Sequence, residues 1–357
     1  DDEGEHAPEL HRRGELTAIM ARTRELSELC GALLVVGFAG TSLEATTARA
    51  LAERRRAGVI LFRRNVESVA SVHALTGDLL AAAPGGDGLF VAVDQEGGRV
   101  ARIPSPAVKL PPMRVLGDLG RPELTRRAGA VVGLELAALG FNVDFAPVLD
   151  VDSNPENPVI GDRAFGRDPT RVAEHGLAFI SGLQSAGVLA CGKHFPGHGD
   201  TDTDSHLALP IVRQSRERLS SLELVPFRAA APVVGAMMTA HVVYEALDPG
   251  IPATHSTRIS TELLRHDLGF DGLLFSDDLE MRAVADRHSV EASAVASIRA
   301  GCDVLLICRD EALADRAHEA LVAEAERNPA FLARCEAAAG RSRSARRRFP
   351  SRRAPTP

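Results

Sequence analysis

The sequence contains no tryptophan, one tyrosine and only two lysines among its 357 residues. The scarcity of aromatic side chains argues against a ligand site made of stacked rings and favours a small pocket lined by polar groups. No run of 18 apolar residues is present, so we expect no membrane span. The five cysteines are odd in number and widely spaced, with no CxxC pair and no zinc framework, which favours a reducing compartment.

Apolar residues make up 45% of the chain, which excludes a disordered or fibrous protein. The net charge of −7 argues against a nucleic acid as the main partner. Arginine supplies nearly all of the cations, so the two lysines, Lys109 and Lys193, stand out. A lysine in such a chain can mark a place where a compact ammonium group is needed.

Short β-branched runs alternate with longer helical stretches about eight times along the chain. The predicted strands are Leu33–Gly37, Val59–Phe62, Leu89–Val93, Asn142–Ala146, Val188–Gly192, Ala236–Ala240, Leu273–Ser276 and Val304–Cys308. Eight such units favour an α/β fold, a single-domain (β/α)8 TIM-type barrel. An open doubly wound sheet is the alternative, but the segment after the first strand does not fit its GxGxxG turn.

The predicted barrel covers residues 31–340. We expect residues 1–30 to form an N-terminal extension, helical in part or whole, and residues 341–357 to form a basic, disordered tail. The tail prediction is based on its arginines and prolines, since it holds seven arginines and no acidic residue.

Ionisable residues recur at the carboxyl ends of the predicted strands, where barrels of this type carry their chemistry. The longest such group is the loop from Lys193 to His206. A metal site could use His194, His198, Asp200 and His206, but Pro196-Gly197 interrupts the helix that an HxxxH pair requires. Lys193 at a strand end could also form a Schiff base, as in a lyase.

Glycoside chemistry is the third interpretation of these residues. It requires a carboxylate on one side of the anomeric carbon and a proton donor on the other. Asp277 can be the carboxylate, and His206 can be the donor because an imidazole titrates near neutral pH. Asp204 can hydrogen-bond the second ring nitrogen of His206. Further charged side chains that can hold sugar hydroxyls are Asp94, Arg102, Arg163, Lys193 and His194.

Three segments of the sequence resemble glycoside hydrolase family 3. They are Gly58–Asn65 (GVILFRRN), Val93–Val100 (VDQEGGRV) and the loop 193–206 (KHFPGHGDTDTDSH). The loop is similar to that of the β-N-acetylglucosaminidase branch, and Phe270–Met281 (FDGLLFSDDLEM) is similar to the branch's nucleophile strand. The resemblance extends from about residue 33 to residue 310.

The resemblance implies a retaining, two-step mechanism without metal or organic cofactor. Asp277 would be the nucleophile, and His206, oriented by Asp204, would be the acid and base. Because adjacent strand residues face opposite ways, Asp278 would instead cap a loop. The resemblance further implies that Asp94, Arg102, Arg163, Lys193 and His194 bind the sugar.

The implied substrate is a small glycan with a terminal, non-reducing N-acetyl-β-D-glucosamine, typically a peptidoglycan fragment. The expected protein is a cytoplasmic monomer without nucleic-acid partners, and the alternative is a secreted or surface-attached form. Two other functions stay open: a phosphorylase that uses phosphate in place of water, and a sugar-binding protein without catalysis.

Overall fold

The structure is a computed structural model that describes residues 20–205 and 207–352. Its strands are β1 (Leu34–Val36), β2 (Gly58–Leu61), β3 (Phe90–Val93), β4 (Val143–Asp144), β5 (Leu189–Phe195), β6 (Ile211–Val212), β7 (Ala236–Thr239), β8 (Val243–Tyr244), β9 (Leu273–Asp278) and β10 (Val304–Ile307). Eight of them form a closed barrel in the order β1-β10-β9-β7-β5-β4-β3-β2, and every pair is parallel. The predicted (β/α)8 barrel is therefore confirmed.

Helices connect the strands and surround the barrel. They are α1 (20–31), α2 (Ala45–Ala52), α3 (Val69–Ala82), α4 (Met113–Leu119), α5 (Pro122–Ala138), α6 (Pro169–Ser185), α7 (Arg216–Ser221), α8 (Val225–Ala230), a π-helix (Arg258–Asp267), α9 (Arg282–Ala285), α10 (Val290–Ala300), α11 (Glu311–Arg327) and α12 (Pro329–Arg348). The strands β6 and β8 pair with each other outside the barrel, as a small parallel sheet that the sequence pattern did not predict.

Local sequence fixes several helix starts. Helix α6 begins at Pro169, directly after Asp168, whose carboxylate accepts hydrogen bonds from the amides of Thr170 and Arg171. Helix α12 likewise begins with a proline, and the side chain of the preceding Asn328 accepts from a backbone amide of the first turn. Proline has no amide hydrogen, but an amide at the first helical position would have no partner within the helix. The capping side chain accepts from another amide of the first turn that would also lack a partner.

The core has two layers, one inside the barrel and one between the barrel and its helices. Inside the barrel, the ring of Phe275 meets the rings of Phe90 and Phe145 edge to face, with centroids 6.0 and 5.1 Å apart. Side chains alternate along each strand, so a strand contributes to both layers. Side chains fill the interior of the barrel, so a ligand can bind only at one of its two ends.

The sequence predicted a disordered tail from residue 341, and the structure differs. Helix α12 continues to Arg348, and Phe349 is buried among the side chains at the amino-terminal end of the barrel. The carbonyl of Phe349 accepts a hydrogen bond of 2.8 Å from the side chain of Asn142. The buried face of this segment carries Ser342, Arg346 and Phe349 at helical spacing. A prediction based on arginine content alone does not detect this spacing.

At the other end of the chain, the described part of the N-terminal extension, from residue 20, is helical as part of α1. Residues 1–19 lie outside the described residues. Among the helices that the structure describes, none combines the length and the apolar character that crossing a membrane requires.

Candidate active site

A cavity of about 370 Å³ opens at the carboxyl-terminal rim of the barrel. Six of the predicted site residues line it: Asp94, Arg102, Arg163, Lys193, His194 and Asp277. Ser205, from the long loop that follows β5, lines it as well. Asp204 precedes Ser205 in that loop and is not among the lining residues, while the predicted acid and base His206 lies outside the described residues.

Glu96 is the centre of a buried ion-pair cluster on the floor of this cavity. Its carboxylate accepts two hydrogen bonds from the Arg163 guanidinium, at 2.8 and 2.9 Å. The Nζ atom of Lys193 lies 2.7 Å from Glu96 Oε1 and 2.7 Å from Asp94 Oδ1. Burial alone would raise the pKa of Glu96, but Arg163 and Lys193 hold it well below its usual range. Two cations and two carboxylates are thus fixed together under the cavity.

Lys193 has the charge state of a binding group. Burial would lower the pKa of its ammonium, but Asp94 and Glu96 outweigh burial and raise that pKa above its usual range. A Schiff-base lysine has to lose its proton before it can attack a carbonyl. The two carboxylates therefore disfavour the lyase alternative.

Arg102 occupies the other side of Asp94. Its Nη2 atom lies 3.6 Å from Asp94 Oδ2, and its backbone amide donates to the side chain of Gln95 at 2.8 Å. The Nε atom of Arg102 is buried and has no hydrogen-bond partner in the described part of the chain. A buried donor without a partner is uncommon, and here it belongs to a side chain that lines the cavity.

Asp150 positions His194. Its carboxylate accepts from the His194 ring at Nδ1, at 2.7 Å, and from the backbone amides of His194 and His198. The bond to Nδ1 places a ring proton there and fixes the orientation of the imidazole. The peptide bond between Lys193 and His194 is cis.

His198 braces the long loop. Its ring bridges Thr201 Oγ1 at 2.9 Å and Ser205 Oγ at 3.0 Å. Burial lowers the pKa of His198 to about 4, so its ring is neutral at physiological pH. Both ring nitrogens are thereby committed to hydroxyl groups of the loop.

In the described ranges 20–205 and 207–352, no group of three or more His, Cys, Asp or Glu residues could hold a metal ion.

The two adjacent aspartates at the end of β9 have different environments. The backbone amide of Asp278 donates to Asp277 Oδ1 at 2.8 Å. The Asp278 carboxylate accepts from the backbone amides of Glu280 and Cys308, at 3.1 and 3.2 Å, which is the loop-capping geometry expected from the sequence. Burial raises the pKa of Asp278 to about 7. The carbonyl of Asp278 also accepts from His241 Nε2 at 2.9 Å.

Beneath the ion-pair cluster, Asp144 is fully buried at the end of β4. One of its oxygens accepts from the Gln95 amide at 2.9 Å, and the other has no hydrogen-bond partner among the described residues. Burial raises the pKa of Asp144 to about 8, and the neighbouring Asp94 and Glu96 add to the effect. Asp144 is therefore mostly protonated at neutral pH.

The sequence analysis missed Glu96 and the ring contact of Asp150. Glu96 could have been found, because it lies two residues after Asp94 and alternate residues share a side of an extended chain. The pairing of Asp150 with His194 joins residues 44 positions apart and leaves no local pattern.

Residues 25–337 match the glycosyl hydrolase family 3 N-terminal domain. This chain belongs to glycosyl hydrolase family 3. The family predicted from the histidine loop and the Asp277 strand is thus confirmed, and the cavity described above is the candidate active site of a family 3 enzyme.

Family 3 relatives resemble the chain over most of its length. It is 43% identical over 291 residues to a β-hexosaminidase of Nitrosomonas eutropha, covering 79% of this chain and 82% of the relative. A family 3 β-N-acetylglucosaminidase structure from Paenibacillus sp. str. FPU-7 superposes with a TM-score of 0.88 at 40% identity, over 90% of this chain. This chain spans 62% of that longer chain. A structure of NagZ from Neisseria gonorrhoeae in complex with N-trifluoroacetyl-D-glucosamine superposes with a TM-score of 0.73 at 34% identity, over 87% of this chain and 98% of that one.

Proposed function

We propose that this protein is a retaining, exo-acting β-N-acetylglucosaminidase. It removes a terminal, non-reducing N-acetyl-β-D-glucosamine and forms a covalent glycosyl-enzyme on Asp277. The acid and base of the reaction is His206, oriented by Asp204. The relatives named above support the sugar specificity, since one is a β-hexosaminidase and another binds an N-acylated glucosamine analogue.

The observation that carries this proposal is that Asp277 lines the same cavity as a cluster of fixed charges. Asp94, Arg163, Lys193 and His194 come from other strands or loops, yet all line this cavity of about 370 Å³. Its volume lies in the range of about 300–1,000 Å³ that is usual for small-ligand sites. Fixed donors and acceptors of this kind can hold the hydroxyl groups of one sugar ring.

The reaction proceeds in two balanced steps. In the first, an Asp277 carboxylate oxygen bonds to the anomeric carbon while the glycosidic C–O bond breaks, and His206 protonates the departing oxygen. In the second, His206 takes a proton from water, the water oxygen bonds to the anomeric carbon, and Asp277 leaves. Two inversions retain the β configuration.

Lys193 and Arg163 have a defined part in this scheme. Their paired carboxylates, Asp94 and Glu96, are acceptors for hydrogen bonds from sugar hydroxyls, and the two cations hold the pKa of Glu96 well below its usual range. The Arg102 side chain, which lines the cavity beside Asp94, adds a cation on the same side. The natural substrate, as the family resemblance implies, is a peptidoglycan fragment in the cytoplasm.

The first test is release of an aryl group from an aryl N-acetyl-β-D-glucosaminide by the native protein and by Asp277→Ala. We expect activity in the native protein and a loss of several orders of magnitude in the variant, because alanine lacks the carboxylate that forms the glycosyl-enzyme. The matched control is Asp271→Ala, which removes a highly exposed aspartate just before the same strand and is expected to keep native activity.

Two further readouts separate the details of the proposal. Rapid quenching followed by intact-mass spectrometry should show a protein heavier by one sugar residue, and the Asp277→Ala variant should lack that species. Phosphate that raises turnover and yields the sugar 1-phosphate would replace the hydrolase with the phosphorylase. Absence of activity with and without phosphate in the native protein would refute both.

A further inference from the structure

A second cavity, of about 250 Å³, lies at the opposite end of the barrel from the candidate active site. Its walls are segments that lead into the first three strands, together with the last turns of α12. Five of its lining residues are arginines and two are acidic: Arg54, Arg56, Arg343, Arg346, Arg347, Glu28 and Asp87. A cation excess of this size is notable in a chain whose net charge is −7.

Arg56 pairs with Asp315, outside the cavity, at 2.5 Å, but the carboxylates at the cavity do not neutralise its other four arginines. Asp87 is shared between Arg347, whose Nη2 lies 2.6 Å from Oδ1, and Arg343, whose Nε lies 3.5 Å from Oδ2. Glu28 pairs with Arg24 on its own helix, at 2.9 Å. Arg54 bonds only a backbone carbonyl among the described residues, that of Gly85.

Arg346 is the most unusual of these residues because it is buried, with 8% of its surface exposed. Its guanidinium donates to the carbonyls of Gly88, at 2.9 Å, and Ser342, and the described part of the chain offers it no ion pair. Burial and, to a smaller extent, the neighbouring arginines lower the pKa of Arg346 to about 10, against the opposing charge of Asp87. A buried charge without a counterion is costly, so an added anion would be stabilised here.

We propose that this cavity binds the phosphoryl group of a small phosphate compound, which is either inorganic phosphate or a phosphate monoester. Guanidinium groups match phosphate oxygens because they donate two parallel hydrogen bonds. The cavity is smaller than the roughly 300–1,000 Å³ of sites for drug-sized ligands, which favours a small anion. The inference is independent of the function proposed for the Asp277 cavity.

Isothermal titration calorimetry on the full chain at fixed ionic strength tests the proposal. The probes are inorganic phosphate and glucose 6-phosphate, with glucose as the unphosphorylated control. The test variant is the double substitution Arg54→Gln with Arg347→Gln, because both side chains are exposed and the fold does not depend on their burial. The matched control is Arg228→Gln with Arg316→Gln, which removes two exposed arginines elsewhere.

We expect one saturable site for at least one phosphate probe, binding at least tenfold weaker in the double variant and within twofold of native in the control. Binding of phosphate alone identifies the free ion as the ligand, and tighter binding of the ester identifies a phosphate monoester. Equal binding by the double variant, displacement of phosphate by N-acetylglucosamine, or no saturable binding of either probe would overturn the proposal.

Discussion

Replacing Glu96 with glutamine tests the ion-pair cluster on the floor of the active-site cavity. The substitution keeps the shape of the side chain but removes its charge. Glu96 is 2% exposed and receives three bonds of 2.7–2.9 Å from Arg163 and Lys193. A glutamine amide group would direct donors toward groups that can only donate, so two cations would lose a buried counterion.

The expected magnitude follows from burial. Removing one partner of a buried, hydrogen-bonded ion pair costs about 3–5 kcal/mol of unfolding free energy. At roughly 2.1 cal/mol/K of unfolding entropy per residue, this chain has about 0.75 kcal/mol/K, so Tm should fall by about 4–7 °C. Lys193 and Arg163 would also lose their fixed positions, so KM for the aryl glucosaminide should rise.

The measurement is thermal unfolding at pH 7, with Glu123→Gln as the matched control. Glu123 forms an exposed ion pair with Arg121 at 3.1 Å, and such exposed pairs contribute little to stability. The control should therefore shift Tm by no more than about 1 °C. A Glu96→Gln protein as stable as the control would show that water or alternative partners compensate the cations, and the reasoning from burial would be refuted.

The pH dependence gives the same test a second readout. The pKa of Glu96 is depressed in the folded state, so its stabilisation is complete above the unfolded pKa near 4.5 and is lost as the pH falls through the folded value. The Tm difference between native protein and Glu96→Gln should therefore be constant from about pH 6 to pH 8 and should narrow in acid. A difference that grows in acid would contradict the assignment of Glu96 as the ionised partner.

Three other substitutions have defined outcomes. Asp144→Asn should flatten the loss of stability between about pH 4 and pH 8 in urea unfolding, because the native carboxyl, with a pKa of about 8, keeps its proton over this range while the unfolded carboxyl ionises; an unchanged slope would contradict the burial effect. Phe349→Ala should lower the free energy of unfolding by about 3–5 kcal/mol and Tm by about 4–7 °C, because it leaves a cavity at the base of the barrel. An unchanged Tm would instead support the prediction of an unpacked tail. Tyr244→Phe removes a hydrogen bond of 2.7 Å to the Gly197 carbonyl and should lower the free energy of unfolding in urea by about 1–3 kcal/mol. An unchanged free energy of unfolding would mean that this buried carbonyl finds another donor.

The barrel could be predicted from the sequence because its pattern is periodic. All eight barrel strands fall on the predicted segments, since buried parallel strands give continuous apolar runs separated by helical stretches. The short strands β6 and β8 could not be predicted, because each has two residues and lies outside the repeating alternation of barrel strands and helices. Their pairing depends on where the barrel places the loops that follow β5 and β7.

The C-terminal helix shows a different limit. Its arginines indicated a solvated tail, but Arg346 and Phe349 are buried against the barrel base. A composition-based prediction averages over a segment, whereas burial is decided by the helical spacing of three or four residues within it. Hydrophobic periodicity is the signal that indicates a buried helix. In this segment the signal is weak, because one residue of the buried face is an arginine.

The residues that line the cavity were predictable where the proposed chemistry requires particular residue types, and less so where electrostatics requires a partner. Asp94, Lys193 and Asp277 carry ionisable groups at strand ends, and the barrel brings strand ends together. Glu96 and Asp150 line or support the same cavity, but their identity as partners depends on contacts between residues 44 to 97 positions apart. Because a buried lysine is stable only when its charge is matched, the burial of Lys193 requires nearby carboxylates, and the motif Val93–Val100 supplies two of them, Asp94 and Glu96.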